Sequence, residues 1–436
     1  MGMKRVAMVS PYFPPSTLAG VHRARLLAKH LNKFSWEPVV FCVDEHYHEQ
    51  SLDLELEKLV PKTIRVIKSK AFRIQMTRLF GVGDIGLRGY RGMYQALEDF
   101  LGREKADLLF ITLSPYYPSL MGPSLKRKFK LPFILDYQDP WVSKFGARQP
   151  IFTKAGLSHI LAKWLEPKVL RWADHITSVS EGTNQEIRMR YPKLNKDIFS
   201  VLPIGGDPED YEYLESHPFP LKIATLSDKE LNFCYVGTLL PRAHRTLRAL
   251  LKAIKIIREK NPTLYQKMKF HFIGTSNLPD GFKDFKVLPM AREEGVEERI
   301  REIPERVPYL EALKILSSSN VILMLGSDEK HYTASKLFPG LLSGRPILAL
   351  YHEASSVCEI VKQTGGVHLI KFSDEVPAQD QVGNISKDLE LLALHPEVVQ
   401  PASLDAMKSV LASSIAGQFA KLFDSVVSRG PSQAAW

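Results

Sequence analysis

The stretch Asn232-Phe233-Cys234-Tyr235-Val236-Gly237-Thr238-Leu239-Leu240-Pro241-Arg242-Ala243-His244-Arg245 joins an apolar run, a glycine-led turn and the basic opening of a helical pattern. The same order stands at the head of the chain. There Lys4–Ser10 reads as a buried strand, Pro11-Tyr12-Phe13-Pro14-Pro15 as a loop, and Val21–Leu31 has helical apolar spacing. Outward from the first copy, strand-like runs follow at Glu37–Val43, Thr63–Ile67, Leu108–Leu113, Phe133–Asp136 and His175–Val179. Outward from the second they follow at Lys269–Gly274, Val321–Leu325 and Pro346–Leu350, with helices predicted over Arg245–Lys260, Pro308–Ser318 and Ser335–Ser343. Short apolar strands alternating with helices imply parallel strands joined by right-handed crossovers.

Two such patterns predict an α/β chain with two Rossmann-like domains facing a central cleft. The linker is Gly205-Gly206-Asp207-Pro208, so residues 1–204 form one domain and 205–411 the other. Leu404–Val427 reads as one long amphipathic helix with no strand after it. Its part from about 412 to 430 is expected to cross back onto the N-terminal domain. Ligands of open α/β sheets bind at the C-terminal ends of the strands, which here would line the cleft.

The 436 residues are 44% hydrophobic and 24% charged, a globular composition that excludes a disordered or fibrous chain. The net charge of +10 is uneven. Residues 1–200 hold 31 basic and 19 acidic side chains, and the rest hold 27 and 29. The surplus therefore suits something the first domain sits on or holds, such as an anionic membrane surface. Cys42, Cys234 and Cys358 lie far apart in apolar runs and read as buried thiols of a reducing compartment. The apolar run at the N-terminus is too short for a signal peptide, and no run reaches transmembrane length. A cytoplasmic chain, at most peripheral to the inner face of a membrane, is expected.

Three clusters carry chemistry. The first loop sets Ser16, Thr17, Gly20, Arg23 and Arg25 around a helix start, which can receive an anion and can equally be an ordinary strand-to-helix connection. Arg242, His244 and Arg245 follow one strand of the second pattern, and Ser335-Lys336 opens a helix after another. Gathered at one sheet edge, these groups would cradle a diphosphate; as solvated helix ends they would do nothing. Leu135-Asp136-Tyr137-Gln138-Asp139-Pro140-Trp141 ends a strand with two carboxylates, suited to acceptor hydroxyls and proton transfer or to capping a turn. Residues 61–130 hold 14 Lys/Arg against 5 Asp/Glu with interleaved aromatics, in Phe72–Phe80, Leu87–Arg91 and Lys126–Lys130. That mixture suits an anionic lipid surface and could equally contact RNA or be a mobile solvated lobe; the membrane surface is favoured because no nucleic-acid module accompanies it. No G-x-G-x-x-G occurs, which disfavours a nicotinamide dehydrogenase, and the histidines lack metal-ligand spacing.

Taken in order, several pieces resemble the GT-B retaining glycosyltransferases of family four (group 1). These are Arg5–Pro15 with Gly20, Ala173–Glu181, Pro203–Asp207, Tyr235–Leu239, Phe272–Gly274 and, most specifically, Ser335–Ala349. The resemblance implies transfer of a sugar, with retention of configuration and usually without a metal or other cofactor. A nucleotide-diphosphate donor would bind the C-terminal domain, and a glycan or lipid-linked acceptor of surface polysaccharide or glycolipid synthesis the N-terminal one. The expected donor residues are Gly20, Gly237, Thr238, Arg242, Arg245, Gly274, Val307, Ser335, Lys336 and Leu337. Asp139, Asp136 and Lys336 are the expected catalytic groups, and His22, Gln138 and Trp141 the acceptor contacts.

The chain departs from that family where its members often carry two Glu separated by seven residues; His331 and Pro339 stand there instead. The family's basic pair falls on Thr238 and Ala243, so Arg242 or Arg245 with Lys336 would substitute, and Gln138-Asp139 stands in place of a His-Asp. Asp328 or Glu329 would supply the ribose contact. Competing readings are a nucleotide-sugar epimerase on the same fold and an inactive nucleotide-binding scaffold.

Overall fold

The computed structural model describes residues 2–276, 284–327 and 335–435. It holds two compact units, Met1–Ile204 together with Ala412–Trp436, and Gly205–Leu411.

In the first unit β1 (Lys4–Val9), β2 (Trp36–Val43), β3 (Arg65–Ser69), β4 (Leu108–Thr112), β5 (Phe133–Tyr137), β6 (His175–Ser178) and β7 (Phe199–Val201) form one sheet. Its order is β3-β2-β1-β4-β5-β6-β7 and every pairing is parallel. Strand alternation splits β1 between two cores. Val6 and Met8 pack on helix Val21–Leu31, and Ala7 and Val9 pack on Met93, Leu97 and Phe100 of helix Tyr90–Arg103. Coverage on both faces explains why these strands are apolar throughout.

In the second unit β8 (Leu231–Val236), β9 (Met268–Ile273), β10 (Ile300–Ile303), β11 (Val321–Leu325), β12 (Ile347–His352) and β13 (Val367–Phe372) run parallel in the order β10-β9-β8-β11-β12-β13. Helix His244–Lys260 covers one face through Leu247, Leu250, Ile254 and Ile257. Helix Leu337–Leu342 covers the other through Leu337, Phe338 and Leu341. Both sheets are doubly wound, which is the expected α/β class with two Rossmann-like halves.

The long helix expected over Leu404–Val427 is interrupted. Leu404–Met407 and a 3-10 turn at Lys408–Val410 come first, then extended Leu411, then helix Ala412–Arg429. The cause is a backbone pairing. Gly206 donates to Val410 O at 3.1 Å and bridges Leu411, which claims the groups a continuous helix would use. Helix Ala412–Arg429 packs in the first unit, with Phe419 and Phe423 against Phe110 and with Trp36 Nε1 donating to Asp424. Burying two phenylalanines contributes about 1.5–3 kcal/mol each.

Candidate functional site

The switch point of the second sheet lies between β8 and β11, because the chain leaves β8 toward one face and β11 toward the other. Gly237 follows β8 with φ +133° and donates to Ile273 O at 2.7 Å. Gly274 follows β9 with φ +74° and donates to Ile303 O at 2.8 Å. Positive φ at both ends turns the chain sharply where a side chain would be strained. Thr246, in the first turn of helix His244–Lys260, donates to Gly326 O at 2.8 Å and so ties that helix start to the end of β11.

Lys336 fills this corner. Its stem lies over Gly237, where a β-carbon would collide with Cδ, Cε and Nζ. Its Nζ donates to Thr238 O at 3.2 Å and stands 5.1 Å from the centre of the Tyr235 ring. Burial, and after it the nearby positive charge of Arg306, pushes the ammonium down to about 8. A cation held in this way gains from any anion that enters. Gly237, Thr238, Gly274 and Lys336, each singled out in the sequence, are thus one cluster. Ser335 is exposed just before the six-residue helix, Leu337 is buried in its core, and Val307 is half-buried in the loop after β10.

The expected pairing of Arg242 or Arg245 with Lys336 takes a different form. Arg242 is half-buried in the turn Pro241–Ala243. Arg245 lines a separate depression of about 620 Å³ with His244, Arg248, Asp284, Lys286 and Gln379; Lys336 is not in its wall. The charge felt at Lys336 is that of Arg306. Arg306 was not among the expected phosphate-facing cations, because its place in the loop after β10 leaves the direction of a long side chain open. Glu302 was also missed. Its carboxylate accepts from Thr275 Oγ1 at 2.7 Å and from the backbone of Lys286, Val287 and Leu288 at 2.9 Å, fixing the segment after β9. Pro339 sits inside helix Leu337–Leu342, where its carbonyl accepts from Tyr211 at 2.7 Å, and no carboxylate occupies that position. His331, Asp328 and Glu329 lie outside the described residues.

In the first unit the switch point is between β1 and β4. Gly20, after β1, comes so close to Ser114, after β4, that a β-carbon would lie 2.8 Å from Ser114 Oγ. Gln138, after β5, donates from Nε2 to Gly20 O at 3.3 Å. Gly20, expected among the donor residues, therefore meets Gln138, expected among the acceptor contacts, within the first unit, whereas the Lys336 cluster belongs to the second; Ser114 joins them without having been foreseen. Asp139 is exposed beside them, and His22 is half-buried in the first turn of helix Val21–Leu31.

Three expectations fail here. Asp136 is fully buried and faces the core: Arg23 Nε and Nη2 donate to its oxygens at 2.9 and 2.8 Å, and Thr177 Oγ1 donates at 2.7 Å. Arg23 also donates to Pro203 O at 2.5 Å and lies 4.6 Å from the centre of the Phe419 ring. Neither Asp136 for proton transfer nor Arg23 for an anion is therefore available. Trp141 is buried as well, stacked on Tyr116 with centroids 5.6 Å apart, so it is core packing and offers no open platform. Among the described residues no helix is long and apolar enough to cross a membrane.

Two doubly wound parallel sheets in succession, with the last helix packed into the first unit, define the GT-B class of fold. Residues 20–196 match the family model of the glycosyl transferase 4-like domain. The chain superposes on HepE of Anabaena in complex with UDP and glucose with a TM-score of 0.63 at 13% identity, covering 97% of this chain and 100% of that one. A glycosyltransferase from Rickettsia africae gives 0.59 at 13%, covering 97% and 98%. WaaG, a glycosyltransferase involved in lipopolysaccharide biosynthesis, gives 0.56 at 11%, covering 96% and 99%. No curated protein matches in sequence. At these identities the structural likenesses establish the fold, and together with the family match they support a glycosyltransferase. The resemblance to GT-B glycosyltransferases of family four is borne out.

Proposed function

We propose that this chain is a retaining glycosyltransferase. In this reading a nucleotide-diphosphate sugar is held by the second unit at Lys336, Gly237, Thr238 and Gly274, with Arg306 and Arg242 adding positive charge. The acceptor, a glycan or a lipid-linked saccharide of surface polysaccharide or glycolipid synthesis, is met by the first unit at Gly20, Ser114, Gln138 and Asp139. The observation that carries the reading is Lys336 folded over Gly237 at the switch point, its charge raised in energy by burial. HepE, with UDP and glucose, and WaaG, in lipopolysaccharide biosynthesis, support the donor and acceptor classes.

The chemistry follows from that cation. The bond between the anomeric carbon and the donor phosphate oxygen breaks, and negative charge grows on the leaving diphosphate. Lys336 stabilises this charge in a partly dry corner, where a fixed cation outweighs mobile water. The acceptor oxygen attacks from the same face, and its proton passes to a phosphate oxygen. No metal is needed for this route, and the chain works in the cytoplasm on the inner face of a membrane. Lys336→Ala should lower turnover about 10²–10³-fold with the fold intact. Near-normal transfer would sink the assignment, and nucleotide binding without turnover on any acceptor would favour the inactive scaffold.

A further inference from the structure

One face of the first unit is inverted with respect to water. Helix Lys154–Leu170 turns Leu157, Ile160, Leu161 and Trp164 outward. Its one carboxylate, Glu166, points inward, where Tyr137, Tyr191 and Arg190 donate to it. On the neighbouring helix Ile74–Arg78 and the segments flanking it, Phe72, Met76, Leu79 and Phe80 are exposed; Leu79, Phe80 and also Phe152 are 84% exposed. Gly83 joins the two elements, since a β-carbon there would stand 3.8 Å from Ile74 Cδ1 and 4.0 Å from Lys154 Nζ. Single exposed apolar residues are ordinary, but a contiguous field of large ones marks a contact surface.

Charge identifies the occupant. Residues 70–83 and 148–172 contain eight Lys/Arg and one acid, the buried Glu166. Lys168 stands over the Trp164 ring, and Arg78 reaches Glu49 at the margin. A second copy of the chain seated on this face would oppose cations to cations, whereas an anionic bilayer meets the cations with lipid phosphates and the aromatic groups with its headgroup layer. The basic stretch expected over residues 61–130 narrows accordingly. Arg88 is buried on the carbonyls of Gly83, Phe72 and Tyr47, and Lys126 is buried on Asp174, so neither is offered to a surface.

We propose that this face docks on anionic membrane lipid, with Phe80, Phe152 and Trp164 entering the headgroup layer and Lys154 and Lys163 lying against phosphates. The inference deepens the reading of a lipid-linked acceptor and rests on it for its purpose. Cosedimentation of the full chain with phosphatidylcholine vesicles, with and without phosphatidylglycerol, tests it. Binding is expected only with phosphatidylglycerol and should weaken with salt. F80S/F152S/W164S should lower it about tenfold or more, and K154S/K163S should lower it by a similar factor, about tenfold. Thermal unfolding should be unchanged in both variants. Wild-type protein that ignores phosphatidylglycerol vesicles, or an aromatic variant that binds them as well as wild type, overturns the proposal. A dimer abolished by the aromatic variant in a chain without vesicle affinity would assign the face to a second copy and also overturn it. Titration with UDP separates the two readings: vesicle binding without nucleotide binding removes the transferase and leaves the docking face standing.

Discussion

Lys336 occupies the space that a side chain at Gly237 would need, and its ammonium is held there on the carbonyl of Thr238, 3.2 Å away. The glycine and the lysine are therefore one device. Gly237→Ala should strain a backbone at φ +133° by about 1–3 kcal/mol and expel the lysine from the corner. Isothermal titration with UDP should register weakened binding by about tenfold or more, the loss of one charge-assisted contact. Unchanged affinity in a folded variant would separate Lys336 from the nucleotide site.

The half-buried, partly desolvated state of Lys336 also sets a pH dependence. Burial and Arg306 lower the free-state value to about 8, and an entering diphosphate favours the charged form and raises it again. Below about pH 8 the lysine is already protonated and binding takes up no proton from it. Above that pH it is neutral in the free protein and must gain a proton on binding, so affinity falls by at most about tenfold per pH unit. Calorimetry in buffers of different ionisation enthalpy measures the uptake directly. Lys336→Met should abolish it, and a flat profile through pH 8 to 10 in the wild type would contradict the assignment.

The two carboxylates at the end of β5 should behave oppositely. Asp136→Ala leaves the Arg23 guanidinium buried without its partner, a loss of about 3–5 kcal/mol in the stability of the first unit. Asp139→Ala, at an exposed position, should change stability by no more than about 0.5 kcal/mol and act on transfer instead. Denaturant unfolding of both variants beside a transfer assay resolves the pair. Equal destabilisation would mean that Asp139 also holds the fold.

These cases show what was legible and why. Fully apolar runs revealed the central strands, because a strand covered on both faces has no polar positions. The edge strands Phe199–Val201, Ile300–Ile303 and Val367–Phe372 escaped notice, since half-exposed strands carry residues such as Ser200, Arg301 and Lys371 that read as loop. Gly237 stands directly after β8 at the switch point of the second sheet, whereas Gly20 is reached only at the far end of the loop after β1, just before helix Val21–Leu31. Asp136 misled because its partner lies 113 residues away, on helix Val21–Leu31, and no local pattern announces a buried pair of that span. Arg245 misled differently: a position after a strand fixes the turn and leaves the direction of a long side chain open.

The contact between Gly20 and Ser114 allows the acceptor side to be tested without touching a charge. A methyl at residue 20 would meet Ser114 Oγ at 2.8 Å and Cβ at 3.2 Å, tighter than side chains tolerate, while the Gln138 amide oxygen would lie at an ordinary 3.6 Å. Gly20→Ala should therefore move Ser114 and raise the KM for the acceptor, with UDP affinity unchanged because the donor groups belong to the other unit. Ser114→Gly in the same chain opens the space again. The double variant should recover most of the acceptor KM if the loss is steric, giving an interaction energy of about 0.5–3 kcal/mol between the two sites in a mutant cycle. If the double variant is no better than Gly20→Ala alone, the glycine is needed for its own backbone and not for the room it gives to Ser114. If both variants transfer like the wild type, the switch point of the first sheet is not where the acceptor binds.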